Sequence, residues 1–259
     1  MLSFKNVSMK YNEELALRGV SLDVARGEFV ALAGPSGSGK STVLNLAAGL
    51  DRPTRGEILL LGRDANTLSS TQLTALRRKE IGIVFQAYNL FPVLTVLENV
   101  EYPLAINGVK ELERKRRAFE ALKAVGLEKF CKRFPNELSG GQQQRVAVAR
   151  AIVNQPSLVF ADEPTANLDT KTTASLMELF LTLNRELKIT FIFSSHDSRV
   201  LERAGRVIEM IDGRIADSDT LSSEANEESA QRISTLHHRE DPVSTRDERI
   251  EPELCQRLV

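Results

Sequence analysis

Residues 29–50, FVALAGPSGSGKSTVLNLAAGL, decide the fold. Phe29 to Ala33 form a five-residue apolar run of the kind that fits a buried strand. Gly34 to Lys40 follow as a loop with glycines at 34, 37 and 39. From Ser41 to Leu50, Val43, Leu44, Ala47 and Ala48 recur at helical spacing. Strand, glycine-rich loop and helix thus carry the pattern G-x-x-x-x-G-K-[ST] at Gly34, Gly39, Lys40 and Ser41. The residue types answer a chemical need. Glycines let successive N–H groups turn inward on a phosphate chain, where a Cβ would obstruct them. The helix start adds free N–H donors and partial positive charge. Lys40 is placed to reach the β- and γ-phosphates, and the Ser41 hydroxyl to ligate Mg²⁺. The stretch Gly34, Pro35, Ser36, Gly37, Ser38, Gly39, Lys40, Ser41 and Thr42 is therefore expected to bind a nucleoside triphosphate.

Around this stretch, composition sets bounds. A chain of 259 residues, 42% hydrophobic, suits one large or two small globular domains with a sizeable core. Neither terminus reads as a signal peptide, and no apolar run approaches the ~18 residues of a membrane span. Cys131 and Cys255 lack metal-ligand spacing, so a reduced, cytosolic compartment is expected. Three histidines argue against a metal site built on imidazole. The net charge of −1 hides an asymmetry. Residues 216–259 hold 11 acidic and 5 basic residues, leaving 24 acidic and 29 basic for the rest. A net of +5 on that body is too weak to indicate nucleic-acid binding.

In chain order, residues 2–11, 20–24, 29–33 and 58–61 read as strands, a β-rich start around the phosphate loop. IGIVFQ at 81–86 reads as a buried strand ending on a polar side chain. The pattern then turns helical from 97 to 155, with helices over 110–124 and 141–154. A buried strand at 158–161, a helix over 171–187 and a strand from 190 follow. RVIEMIDGRI at 206–215 reads as two short strands around an Asp-Gly turn. Strands alternating with helices predict a largely parallel α/β core carrying a helical insertion.

Two further motifs bear on chemistry. The strand Leu158–Ala161 ends in Asp162 and Glu163. One acid at such a strand end can meet the Mg²⁺ held by Ser41, and a second can orient and deprotonate an attacking water. Asp162 is assigned to the metal and Glu163 to the water. Leu138-Ser139-Gly140-Gly141-Gln142 opens the helix over 141–154 and makes a second anion-binding helix start.

With these residues in order, the chain resembles the ATP-binding subunits of ABC transporters over about residues 1–215. The phosphate loop, Gln86, LSGGQ at 138–142, the Asp162–Glu163 strand, Asn167-Leu168-Asp169 and His196 carry the likeness. It implies a P-loop NTPase with a mostly parallel core sheet, an N-terminal antiparallel β subdomain and an inserted helical subdomain at about 87–155. It further implies ATP with Mg²⁺, hydrolysis, and two subunits facing head to tail. Ser139 and Gly141, within the Ser139, Gly140, Gly141 and Gln142 helix start, would meet the γ-phosphate held by the other subunit's Lys40. Gln86 would sense Mg²⁺ and the γ-phosphate while linking to a membrane subunit. His196 would hold the γ-phosphate edge, Asp169 would lie on the loop joining the two sites, and Tyr11 would stack on adenine over a floor at Val20.

QAYNLFPVLTVLENVEYPL from Gln86, ANLD at 166–169 and LSGGQQQRVAVARA resemble the group of lipoprotein-releasing and macrolide-export ATPases. That likeness implies a bacterial source and an integral membrane permease partner. It also implies a place on the cytoplasmic face of the membrane, with Leu90, Phe91, Val93 and Leu94 lining the permease groove. Amino-acid importers share many of these motifs, so transport direction stays open. A non-transport ATPase would carry long coiled-coil insertions or two cassettes joined by a basic linker, and neither occurs here. Residues 216–259 are expected to form an acidic, largely flexible tail, with helix starts at Ser222 or Ser223 and at Pro252.

Overall fold

The structure, a computed structural model, describes residues 1–216. Met1–Ile215 form a first compact unit of the chain. The flexibility and helix starts expected of the tail lie outside the described residues.

The elements of the first unit run β1 (Leu2–Tyr11), β2 (Glu14–Val24), β3 (Phe29–Ala33), α1 (Lys40–Ala47), β4 (Arg55–Leu60), β5 (Arg63–Asp64), α2 (Ser70–Glu80) and β6 (Ile81–Val84). They continue as α3 (Val96–Ile106), α4 (Glu111–Ala124), α5 (Gly140–Ile152), β7 (Leu158–Ala161), α6 (Thr170–Leu187), β8 (Thr190–Ser195), α7 (Ser198–Leu201), β9 (Arg206–Ile211) and β10 (Arg214–Ile215). Two sheets result. The first is antiparallel in the order β2-β1-β4-β5, and the second runs β10-β9-β3-β8-β7-β6. In the second only the β9–β10 pair is antiparallel.

Burial explains the two kinds of strand. Every residue of β3, β7 and β8 is buried, the continuous apolar run expected of a parallel strand covered on both faces. On one face Val30, Leu32, Phe160 and Ile192 join Leu44 and Leu46 of α1 and Phe4 and Leu60 of the antiparallel sheet. On the other, Phe191 meets Phe180 of α6 at 5.2 Å between ring centroids, and Phe29 meets Phe193 at 5.0 Å. Each such buried ring is worth roughly 1.5–3 kcal/mol of transfer free energy.

α2 was not anticipated by the periodicity, because its mean character is polar and only Leu73 and Leu76 are buried. Its start was nonetheless written in the chain. Ser69 accepts from the Gln72 N–H at 3.2 Å, and Gln72 returns the bond to the Ser69 N–H at 2.8 Å. Similar boxes open α3 at Thr95 and Glu98 and α5 at Ser139 and Gln142. β6 stops at Val84, two residues before the end expected at Gln86, so Gln86 stands beyond the strand.

α5 lies close against β6. A Cβ at Gly82 would stand 2.5 Å from the Ala151 carbonyl oxygen, a backbone atom that cannot rotate away. Gly82→Val is therefore expected to destabilise the first unit by about 1–3 kcal/mol or more, read as an earlier urea midpoint.

Candidate active site

Because β3, β6, β7 and β8 are parallel, their C-terminal ends share one sheet edge, where open α/β sheets bind ligands. The chain leaves those ends at Gly34, Phe85–Gln86, Asp162–Glu163 and His196. Sequence positions more than 150 residues apart thereby become neighbours.

The phosphate loop is shaped by backbone that glycine alone tolerates. Gly34 has φ +142°, and a Cβ there would stand 2.2 Å from the Met210 carbonyl oxygen. Gly39 at φ +100° caps α1 with no side chain, and the first helical turn carries no acid. The helix N-terminus thus keeps its positive character. Lys40 is 5% exposed, and its ammonium donates to the carbonyls of Gly34 at 2.8 Å and Pro35 at 2.9 Å. The Asp212–Gly213 turn supports the loop: the Gly213 N–H donates to the Ser38 carbonyl at 3.1 Å. That turn was legible in the sequence, but its place under the loop was not.

Ser36, Gly37, Gly39, Lys40, Ser41 and Thr42 face a cleft of about 760 Å³. Gly34, Pro35 and Ser38 build the loop without lining it. Tyr11, Leu15 and Ala16 from the β1–β2 hairpin line the same cleft, as do Gln86, Asp162 and Glu163. The Tyr11 hydroxyl donates to Asp51 Oδ2 at 2.6 Å. Burial, with this bond, pushes the phenol up to about 12, so it stays protonated and keeps donating. Asp51 was missed, since nothing in its local sequence pairs it with Tyr11, forty residues earlier. Val20 does not form the expected floor. It is 1% exposed within the core, because the irregular register between β1 and β2 turns it to the same face as Leu17 and Leu22. Leu15 and Ala16 line the cleft instead.

At the strand ends the polar groups are joined in series. The Ser41 hydroxyl donates to Asp162 Oδ1 at 3.1 Å. The Ser194 hydroxyl donates to the same oxygen at 2.6 Å and accepts the Glu163 N–H at 2.8 Å. His196 Nδ1 lies 3.2 Å from Glu163 Oε1. Glu163 itself adopts φ +43°, a left-handed conformation costing a non-glycine residue roughly 1–3 kcal/mol. The Ser41 hydroxyl and Asp162 carboxylate are hard oxygen donors that suit Mg²⁺, which takes few protein ligands and completes its octahedron with water and phosphate. The donor set fits the ion.

The Ser139–Gln142 stretch is elsewhere: none of Ser139, Gly140, Gly141 or Gln142 lines the cleft of its own chain. Instead it is wedged at the start of α5. A Cβ on Gly141 would stand 2.3 Å from Thr172 Cγ2, where α6 begins, and one on Gly140 would stand 3.0 Å from the Tyr88 hydroxyl. Asp169 caps α6 through the Thr172 N–H at 3.0 Å, and Thr172 holds the Asp169 carboxyl below the usual carboxylate range. Tyr88 and Asn89 are both left-handed, at φ +55° and +51°. Arg150 of α5 donates to both of their carbonyls, at 2.8 and 2.5 Å. Arg150 too was missed, lying in an ordinary helical repeat.

A protein-family model described as ABC transporter matches residues 17–166. The chain belongs to the ABC transporter family of ATP-binding proteins. It is accordingly an ATPase. This ABC cassette is 50% identical over 200 residues to an ABC transporter ATP-binding protein of Thermotoga maritima, spanning 77% of this chain and 85% of that protein. It is 46% identical to the ABC transporter ATP-binding protein MJ0796 of Methanocaldococcus jannaschii, over 85% of this chain and 97% of that one. A solved structure of MJ0796, described as dimeric and bound to ADP and Pi, superposes with a TM-score of 0.76 over 83% of this chain and 96% of that one. A structure of cbiO1 from Clostridium perfringens, part of the ABC transporter complex cbiONQ, superposes at 0.79 with 31% identity, over 90% and 92% of the two chains.

Arg150→Met keeps the apolar stem but removes the donors to two strained residues of the 86–91 loop. We expect faster hydrogen exchange across that loop and a loss of about 1–3 kcal/mol in unfolding free energy. Unchanged exchange would separate the loop from α5.

Proposed function

We propose that this cassette closes head to tail with a second copy around two ATP molecules and transmits that closure to a membrane permease. One observation carries the reading. Lys40, Ser41, Gln86, Asp162 and Glu163 share one cleft, while the helix start at Ser139–Gln142 lies outside it. An anion-binding helix start with no phosphate of its own to meet serves the phosphate of another copy. That the structures of MJ0796 are described as dimeric, one of them bound to ADP and Pi, supports a pairing of two copies.

In this reading Tyr11 stacks on adenine, and Gly34 to Thr42 wrap the phosphates, with Lys40 neutralising the β- and γ-groups. Ser41, Asp162 and Gln86 would hold Mg²⁺, which when bound neutralises charge on the phosphate oxygens. Glu163 orients the attacking water and accepts its proton. His196 holds the γ-phosphate edge and, through its 3.2 Å contact, fixes the Glu163 carboxylate. Ser139, Gly140, Gly141 and Gln142 complete the site of the other copy. Residues 1–215 form the catalytic domain, with a helical subdomain over about 87–155 and an acidic tail from 216.

The permease surface is the patch after Gln86. Phe91 is 39% and Val93 79% exposed, and the Phe91 ring packs on Tyr102 at 4.7 Å. Buried Asn99 holds this loop by accepting the Phe91 N–H and donating to the carbonyls of Phe91, Leu94 and Thr95. Among the described residues no helix is long and apolar enough to cross a membrane. The sequence likeness supports a permease of the lipoprotein-releasing or macrolide-export kind, on the cytoplasmic face of the membrane.

Glu163→Gln removes the proton acceptor and little else. The variant should bind Mg-ATP, lose hydrolysis and accumulate as an ATP-dependent dimer. A monomer by light scattering at saturating Mg-ATP would falsify the proposal. Leu90→Asp or Phe91→Asp should abolish co-purification with the permease, because an unpaired charge in an interface costs several kcal/mol by rough estimate. Nucleotide affinity should change by no more than about threefold, since neither residue lines the cleft. Pull-down at full yield, or lost nucleotide binding, would sink the docking assignment.

A further inference from the structure

We propose that Ser194 is a positioning residue for hydrolysis, one hydroxyl that sets both acids at the end of β7. The inference deepens the roles proposed above for Asp162 and Glu163 and rests on them.

Ser194 is fully buried, following Phe191, Ile192 and Phe193 in the strand TFIFSS. A hydroxyl there costs free energy unless both its donor and its acceptor capacity are used. Packing alone would be served as well by alanine or valine. Both capacities are used here, and each is spent on a different acid. The proton goes to Asp162 Oδ1 at 2.6 Å, and a lone pair takes the Glu163 N–H at 2.8 Å.

Geometry explains why these acids need such a clamp. Ala161 is opposite Phe193 in the parallel register, so the next residue of each strand, Asp162 and Ser194, comes side by side. The ladder carries one step further on the other side, where the Asp162 N–H donates to the Val84 carbonyl at 3.0 Å. At Glu163 the ladder ends. The backbone turns left-handed at φ +43°, and the Glu163 N–H leaves the sheet with no strand carbonyl to meet. Ser194 supplies the acceptor that the missing strand would have provided. It therefore sets the direction in which the Glu163 side chain departs. The same hydroxyl joins that of Ser41 on Asp162 Oδ1, fixing the carboxylate from two sides. His196, two residues beyond Ser194, then meets the far end of Glu163 at 3.2 Å. The short segment 194–196 thus holds Glu163 at its amide and at its carboxylate.

The role predicts a loss in chemistry without a matching loss in binding, since Ser194 does not line the cleft. Full-length Ser194→Ala should lower kcat about tenfold, the size expected when one hydrogen bond that orients the reacting group is removed. Its dissociation constant for ATP without Mg²⁺, where Asp162 holds no ion, should stay within about twofold of the original. Peptides spanning Asp162 to Ala166 should exchange amide hydrogens faster. Ser194→Thr keeps the hydroxyl and, where folded, should recover most of the turnover.

Turnover of Ser194→Ala within about twofold of the original would overturn the proposal. So would equal losses of affinity and turnover, or a folded threonine variant as slow as alanine. Glu163→Gln assayed in parallel separates the two layers of argument. If it hydrolyses ATP undiminished, the role of Glu163 fails and this inference fails with it. If it is inactive while Ser194→Ala is unimpaired, only the Ser194 inference falls.

Discussion

The parallel register of β3, β8, β7 and β6 is the constraint from which the site follows. Pairing Ala33 with Ser195, Phe193 with Ala161 and Ala161 with Val84 levels four strand ends on one edge. Whatever residue follows each strand is then delivered to the same place. Parallel pairing needs crossovers, which accounts for the long sequence distances between the residues brought together. It also needs both faces covered, and α1 with the antiparallel sheet covers one while Phe180 of α6 packs on the other. The site is a by-product of how the core closes.

Strain is stored at the places where loops leave that edge. Glu163, Tyr88 and Asn89 are non-glycine residues with positive φ, and each is held by a group from another element. Ser194 of β8 holds the first, and Arg150 of α5 holds the other two. Conformations of this kind persist only where the surroundings over-determine them. Their location gives a physical sense to coupling. The turn at 88–89 touches the start of α5 at Gly140, is tied to α5 by Arg150, and leads directly into the exposed patch at Phe91 and Val93. The patch is thus linked to the Ser139–Gln142 helix start through the Arg150 guanidinium, the Tyr88 hydroxyl and the helix that carries Arg150. At its other side the same helix start abuts Thr172, and Gln144 donates to the Pro164 carbonyl at 2.8 Å. The helix that would serve a neighbouring copy is thus connected to both the acidic strand end and the exposed loop proposed to meet the permease.

Much of this was legible in the chain. Apolar runs at 29–33, 158–161 and 191–193 announced buried parallel strands, because a strand covered on both faces has no polar side to alternate with. The glycines of the phosphate loop were legible because φ values such as +142° exclude other residues. Helix starts were written as capping boxes, including the one at Ser69 and Gln72 that opens a helix whose polar composition gives little periodic signal. Asp162 and Glu163 were legible as acids at a strand end.

What the sequence by itself determined about this protein is most of its strands, the glycine-rich loop at residues 34–42, and the identity of the acids beside it. These are local properties, fixed by side-chain periodicity and by the conformations a residue permits. The tertiary structure alone decided which distant residue completes each group: Asp51 for Tyr11, Ser194 for Asp162 and Glu163, Arg150 for the 88–89 turn, and Leu15 with Ala16 in place of Val20. Those pairings depend on sheet order, on strand register and on one irregularity between β1 and β2. No local signal encodes them, because hydrogen-bond partners 31 to 62 residues apart are chosen by the packing of the whole core.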